Sequence, residues 1–212
     1  MKTIILNGSP RKNWNTAQLL KEAKKGAESV GDEVEYFDLY DLKFTGCRSC
    51  LGCKRAGIEN PCQCFWKDDL TPVLNKILES DRLITGSPIF FGEPTGDFRS
   101  FLERLIFPLL SYNDYSCLLK GKVNLDVFFT MNATEEHYLK AYKAPLEAYF
   151  APCRFLNGQT RLHPVCDTLQ VGDYSKYEMR GFSEERKKAR HEKEFPVALK
   201  LAFDVGAGTA TN

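Results

Sequence analysis

Five of the chain's eight cysteines fall between residues 47 and 64. Cys47-Arg48-Ser49-Cys50-Leu51-Gly52-Cys53 sets three thiols two residues apart, the start of a four-iron cluster motif, and Cys62 and Cys64 each offer a fourth ligand. Zinc fits this pattern less naturally. Structural zinc sites pair two ligands from each of two turns, so three from one short loop leave one superfluous or strained. A redox-active Cys-x-x-Cys and a set of plain reduced thiols are the remaining readings. Cys117, Cys153 and Cys166 stand singly and read as small buried apolar groups.

A second stretch, Gly8-Ser9-Pro10-Arg11-Lys12-Asn13-Trp14-Asn15-Thr16, gathers hydroxyls, amides and two cations just before a helical pattern. Unpaired amides at a helix start suit a phosphate. The segment lacks the Gly-Lys-Ser/Thr ending of an ATP-binding loop and the Gly-x-Gly-x-x-Gly of a dinucleotide site. Its bland reading is a polar turn with Asn15 or Thr16 capping the helix. In Pro88-Ile89-Phe90-Phe91-Gly92 two adjacent aromatics are placed to flank a flat ring, the alternative being that Phe91 caps the apolar stripe of the next helix. His137, His163 and His191 are scattered, and no catalytic acid, base or nucleophile is assigned.

The elements that must position these residues alternate from the first residue. Lys2 to Leu6 reads as a strand, and a helix begins at Thr16 with Ala17, Leu20, Ala23 and Ala27 on one face. Glu33 to Leu39 is a second strand. Asp68-Asp69 open a helix carrying Leu70, Val73, Leu74, Ile77 and Leu78. Leu83 to Thr85 is a third strand, Gly96 to about Leu110 a strongly patterned helix, Val123 to Thr130 a fourth strand and Glu135 to Phe150 a helix. Phe155 or Thr168–Val171 supplies a fifth strand. Ser183 to Asp204 is a helix interrupted or kinked near Pro196, and Gly206 to Asn212 a frayed tail. Such alternation implies an α/β, doubly wound, five-stranded parallel sheet with helices on both faces, in one domain over 1–212 with a cysteine-rich insertion at 46–66 and a C-terminal helical extension at 183–204. Ligands bind outside the carboxyl ends of such strands, which here are the loops 7–15, 88–95 and 131–134.

Asn7-Gly8-Ser9-Pro10-Arg11, Gly86-Ser87-Pro88-Ile89-Phe90-Phe91-Gly92 and the three closely spaced cysteines between them together resemble the NADPH-dependent FMN reductases of flavodoxin-like fold and, within that group, the iron-sulfur flavoproteins. The resemblance runs from Met1 to about Tyr112. It implies FMN as cofactor, its phosphate held by Ser9, Arg11, Asn13, Asn15 and Thr16, its ring by Pro88, Ile89, Phe90, Phe91 and Gly92, and its pyrimidine edge by Met131 and Asn132. Arg11 and Lys12 would offset the phosphate charge. It also implies a [4Fe-4S] cluster on Cys47, Cys50, Cys53 and, by register on Asp68-Asp69, Cys64, with Cys62 the alternative. The chain departs from the family pattern at Trp14, where glycine is usual, at Phe90, where tyrosine is common, and in the ten residues between Cys53 and Cys64.

The expected function is an FMN-dependent oxidoreductase that takes hydride from NAD(P)H, or electrons from a ferredoxin, and passes them to a small-molecule acceptor. The alternatives are a flavodoxin-like electron carrier, or a cysteine-based metal or redox sensor on the same scaffold. Composition bounds the partners. With 43% hydrophobic and 27% charged residues the chain is an ordinary globular one, and its net charge of +1 gives no bulk attraction for nucleic acid or an acidic membrane. No apolar run resembles a signal peptide or a span, so a cytoplasmic homo-oligomer with reduced thiols is expected.

Overall fold

The computed structural model describes residues 1–210. Five parallel strands lie in the order β2 (Glu33–Asp38), β1 (Lys2–Asn7), β3 (Arg82–Phe90), β5 (Val123–Thr130) and β6 (Asn157–Val165), and a two-residue β4 (Glu93–Pro94) folds back antiparallel on the end of β3. The central strands are buried on both faces, with short apolar runs at residues 4–6, 83–84 and 127–129 and small or hydrogen-bonded polar residues around them. Alternate residues serve opposite faces. Ile4 and Leu6 join the core under α2 (Leu70–Leu78) and α3 (Gly96–Ile106), whereas Ile5 joins the core under α1 (Asn15–Ser29) and α6 (Glu184–Ala207).

α1 and α6 meet backbone to backbone. A Cβ on Gly26 would lie 2.0 Å from the Phe203 carbonyl oxygen, and one on Gly206 would lie 1.9 Å from that of Ala23, so neither position admits a side chain. At the amino ends of the strands Arg82 donates to Asp32 at 3.0 Å and to the carbonyls of Val205, which also accepts from the Gly208 amide, and Gly206, which the end of α6 leaves unpaired. No helix among the described residues is long and apolar enough to cross a membrane.

The structure corrects the expectations for the fifth strand, the helix at 135–150, the break at Pro196 and the C-terminal tail. The fifth strand is Asn157–Val165; Phe155 belongs to the 3-10 turn before it and 168–171 to the loop after it. As an edge strand, half-exposed and carrying Pro164, it lacks the apolar run that marks the central strands. The helix expected from Glu135 to Phe150 is divided into α4 (Glu135–His137), a π turn (Tyr138–Tyr142) and α5 (Lys143–Phe150). Pro145 brings no N–H for the Ala141 carbonyl, and the chain widens just ahead of it. The tail from Gly206 is not frayed at its start, for Gly206 is buried in α6, which runs through Pro196 unbroken, and Ala210 packs on the core; Thr211 and Asn212 lie outside the described residues.

Candidate functional site

The loop after β1 is built around Asn7. Its side chain donates to Asp38 at 2.7 Å and accepts from the Ser9 amide at 3.1 Å, and Ser9 Oγ accepts in turn from the Arg11 amide. The Gly8 amide bonds the Gly86 carbonyl at 2.8 Å, an approach that only a bare Cα allows, since a Cβ there would strike Phe98 at 2.5 Å. α1 then starts without a side-chain cap. Trp14 stands at the capping position, and among the described residues nothing accepts from the amides of Asn15, Thr16 and Ala17. Three unpaired N–H groups at the positive end of a helix form an anion cradle.

The side chains expected at a phosphate are distributed differently. Ser9, Asn15 and Thr16 are buried; Arg11 and Asn13 are exposed. Thr16 Oγ1 lies 2.7 Å from Thr130 Oγ1, and Asn15 donates to the Leu169 carbonyl at 2.8 Å. Arg11 donates to the Gln170 carbonyl at 2.7 Å and stacks 4.0 Å from the Trp14 ring, whose indole N–H also reaches Leu169. Asn13 accepts from Lys21, and Lys12 pairs with Asp41. Arg11 uses one of its five N–H groups on the Gln170 carbonyl and keeps its charge unpaired among the described residues, Lys12 is paired with Asp41, and the Asn15 side chain donates to Leu169 rather than capping the helix. The strap at 169–170 that engages the loop was not foreseen; nothing in its own sequence marks it.

Pro88, Ile89 and Phe90 continue β3 rather than forming a loop, and Phe91-Gly92 make a two-residue hairpin turn with φ of +52° and +87°. Positive φ at both central positions is the type I′ turn, natural for glycine and strained for phenylalanine. Phe91 is fully exposed, so it does not cap the stripe of α3; Thr95 caps that helix through its hydroxyl. Beside the turn, Tyr142 packs against Gly92 and lies edge-on to His137 at 4.8 Å. On the loop after β5, Met131 is buried and its carbonyl accepts from Thr168, while Asn132 Oδ1 is buried with no hydrogen-bond partner. Lys187, also buried, holds the Asn132 carbonyl and Asp167. Burial opposes ionisation of Asp167, but bonds from Arg186 and Lys187 outweigh it and keep the carboxyl below its usual range.

The cysteine loop separates its two candidate fourth ligands. Cys47, Cys50, Cys53 and Cys64 line one cavity of about 20 Å³, together with Phe65, Trp66, Arg104 and Phe107. Cys62 lines a different groove, with Asn75, Leu78 and Leu118. Ser49 and Leu51 adopt left-handed φ of +52° and +54°, folding the loop tightly, and Lys54 anchors it by donating to the carbonyls of Phe107 and Leu110. Burial pushes the Cys53 and Cys62 thiols up. Among the described residues no three His, Cys, Asp or Glu side chains converge closely enough for a single metal ion. Of the isolated cysteines, Cys153 is fully buried, its thiol pushed up to about 12 by burial, and Cys117 and Cys166 are half-buried.

A parallel sheet in this order, with its open groups at the carboxyl ends, defines a flavodoxin-like protein. Residues 1–134 match the family model described as NADPH-dependent FMN reductase, and the chain belongs to that family. It is 35% identical over 104 residues to an iron-sulfur flavoprotein of Methanocaldococcus jannaschii, covering 49% of this chain and 51% of that protein. With an iron-sulfur flavoprotein of Clostridioides difficile the figures are 34% over 107 residues, 49% and 45%. These matches span about half the length of the curated relatives. In fold the chain is similar to an NAD(P)H:quinone oxidoreductase from Methanothermobacter marburgensis, with a TM-score of 0.72 at 15% identity over 100% of this chain and 98% of the other. It is also similar to an FMN-dependent NADH-azoreductase from Bacillus anthracis in complex with FMN, with a TM-score of 0.63 at 14% identity over 100% of both.

Proposed function

We propose that the chain binds FMN across the carboxyl ends of β1, β3 and β5 and acts as a cytoplasmic NAD(P)H-dependent reductase of quinone-type small molecules. The observation that carries this reading is the uncapped start of α1, three unpaired amides at the mouth of the groove expected to hold a ligand. The orphaned Asn132 Oδ1 agrees with it, as an acceptor placed where the family resemblance puts the N–H of a pyrimidine edge. When bound, FMN supplies two-electron chemistry with a nicotinamide and one-electron chemistry with iron. The chain's part is to hold and orient. The α1 amides and Ser9 hold the phosphate, Pro88 to Gly92 present the exposed Phe90 and Phe91 to the ring, and Met131-Asn132 fix its polar edge.

The four thiols of one cavity fit a four-iron cluster better than zinc. Each thiolate of a cluster binds a separate iron and stands apart from the others, whereas four zinc ligands crowd one ion. Cys47, Cys50 and Cys53 come from one loop and share with Cys64 a cavity that has to widen from about 20 Å³ to take a cluster, and Cys62 lies outside it. The names of the relatives point the same way.

The test begins with anaerobic protein reconstituted with FMN, iron and sulfide. Bound flavin identified as FMN after denaturation, bleached by NADH or NADPH and restored by a quinone, supports the reductase. Failure to bind FMN overturns it, and flavin reduced only by a ferredoxin replaces it with the electron carrier. Thr16→Ala is expected to leave the ratio of FMN to riboflavin affinity within about twofold, because the phosphate is held by backbone.

A further inference from the structure

Arg104 is the largest fully buried side chain of the molecule, on a helix otherwise buried through Phe98, Phe101, Leu102, Leu105 and Ile106. A guanidinium out of water needs an acceptor for each of its five N–H groups. It has five. Nε donates to Cys64 Sγ at 3.4 Å, Nη1 to the Thr45 carbonyl at 3.1 Å and to Asp68, and Nη2 to the Trp66 carbonyl and Thr71 Oγ1, each at 3.0 Å. The acceptors are not randomly placed. Thr45 precedes Cys47 by two residues, Trp66 follows Cys64 by two, and Asp68 and Thr71 stand at the start of α2, so one side chain ties both ends of the cysteine loop to α3.

Four of the five acceptors are oxygens of the loop ends and of Asp68 and Thr71, and the fifth is the sulfur of Cys64, which lines the same cavity as Cys47, Cys50 and Cys53. Carbonyls and carboxylates are the stronger acceptors, and Asp68 already neutralises the charge. The bond to Cys64 therefore points at the centre that the four thiols surround. We propose that Arg104 is a positioning residue for that centre: it holds Cys64 opposite Cys47, Cys50 and Cys53 as the fourth ligand and, through Nε–H···Sγ, raises the reduction potential of the cluster. This rests on the cluster reading above. Its physical basis is that a donor and a positive charge at a ligand sulfur stabilise the more negative, reduced state more than the oxidised one.

The experiment compares wild type, Arg104→Lys, Arg104→Met and Asp68→Asn after anaerobic reconstitution. It measures iron and sulfide per chain, far-ultraviolet circular dichroism, and the midpoint potential by a titration followed by electron paramagnetic resonance. Lysine keeps the charge but cannot reach all five acceptors, so the potential is expected to fall in Arg104→Lys and further in Arg104→Met. Asp68→Asn keeps an acceptor for Nη1 and removes the opposing charge, so its potential is expected to rise. Folded variants that lose iron where wild type keeps it also support the positioning role. If the Arg104 variants do not fold, the Asp68→Asn shift decides. Full iron loading with potentials equal to wild type in the folded variants overturns the proposal. Wild type without iron and sulfide overturns the cluster reading instead.

Discussion

The two ends of the sheet are built on opposite principles. At the amino ends of the strands the buried charges are paired: Asp32 accepts from the chain's own amino terminus, from Thr3 at 2.7 Å and from Arg82, and Arg82 also closes the Gly206 carbonyl of α6. At the carboxyl ends, three amides and Asn132 Oδ1 have none, and Phe91 stands exposed at a φ that costs about 1–3 kcal/mol. Stability is concentrated where no ligand is proposed. Where one is proposed, the start of α1, Asn132 Oδ1 and the turn at Phe91 are left open.

The largest expected effect breaks the satisfied end. Arg82→Met leaves Asp32 buried beside fewer donors and should lower stability by about 3–5 kcal/mol in urea denaturation, while FMN affinity of the folded fraction stays unchanged. Acid should follow. Burial opposes ionisation of Asp126, but hydrogen bonds from His163 and Arg161 outweigh it, and Asp126 and Asp167 both titrate below their usual range. A carboxyl depressed in the folded state stabilises above its unfolded pKa of about 3.9 and loses that contribution as the pH falls through its folded value. Thermal melts from pH 7 to pH 3 should therefore hold steady to about pH 4 and then drop, with Asp126→Asn flattening the drop.

At the open end the sign reverses. Phe91→Gly relieves the turn and should raise stability by about 1 kcal/mol while weakening FMN binding, measured by flavin fluorescence. Equal stability and equal affinity would mean that the strain serves nothing. The smallest effect is expected from Trp14→Gly. It removes the stacking under Arg11, about 0.5–1 kcal/mol, and one bond to Leu169, and should speed FMN association by loosening the strap at 169–170. Stopped-flow mixing of apoprotein with FMN reads that rate.

Local pattern made the central strands, α1 to α3 and the site loops legible, because a strand buried on both faces and an amphipathic helix write their environment into the sequence. β6 was displaced because it opens on five polar or glycine positions, Asn157 to Arg161, and carries Pro164, whereas the other edge strand β2 keeps Val34 and Phe37 after a glycine break. Within the site, the loops that meet at the carboxyl ends were foreseen, but the directions of their side chains were not. Arg11, Asn13 and Asn15 have the types that bind phosphate, and only tertiary structure shows them engaged with Gln170, Lys21 and Leu169. Arg104 was missed for a related reason. On a helical wheel it flanks Phe101, where arginine usually reaches water with its stem on the core, and only the cysteine loop folded over it turns that position into an interior.

The glycine contact between α1 and α6 also governs how the chain is made. Residue 26 is made 180 residues before residue 206, and until α6 arrives the face of α1 at Ala23 and Gly26, turned away from the sheet strands that Leu19 and Leu20 pack on, lacks its covering helix. β5 meanwhile offers an unpaired edge until β6 arrives. The nascent chain thus carries uncovered apolar surface while the intervening segments are made, and this domain closes only when α6 docks. A chain cut at residue 134, the limit of the family match, would keep the proposed flavin loops but lose α6 from the outer face of α1 and β6 from the edge of β5, and is expected to aggregate.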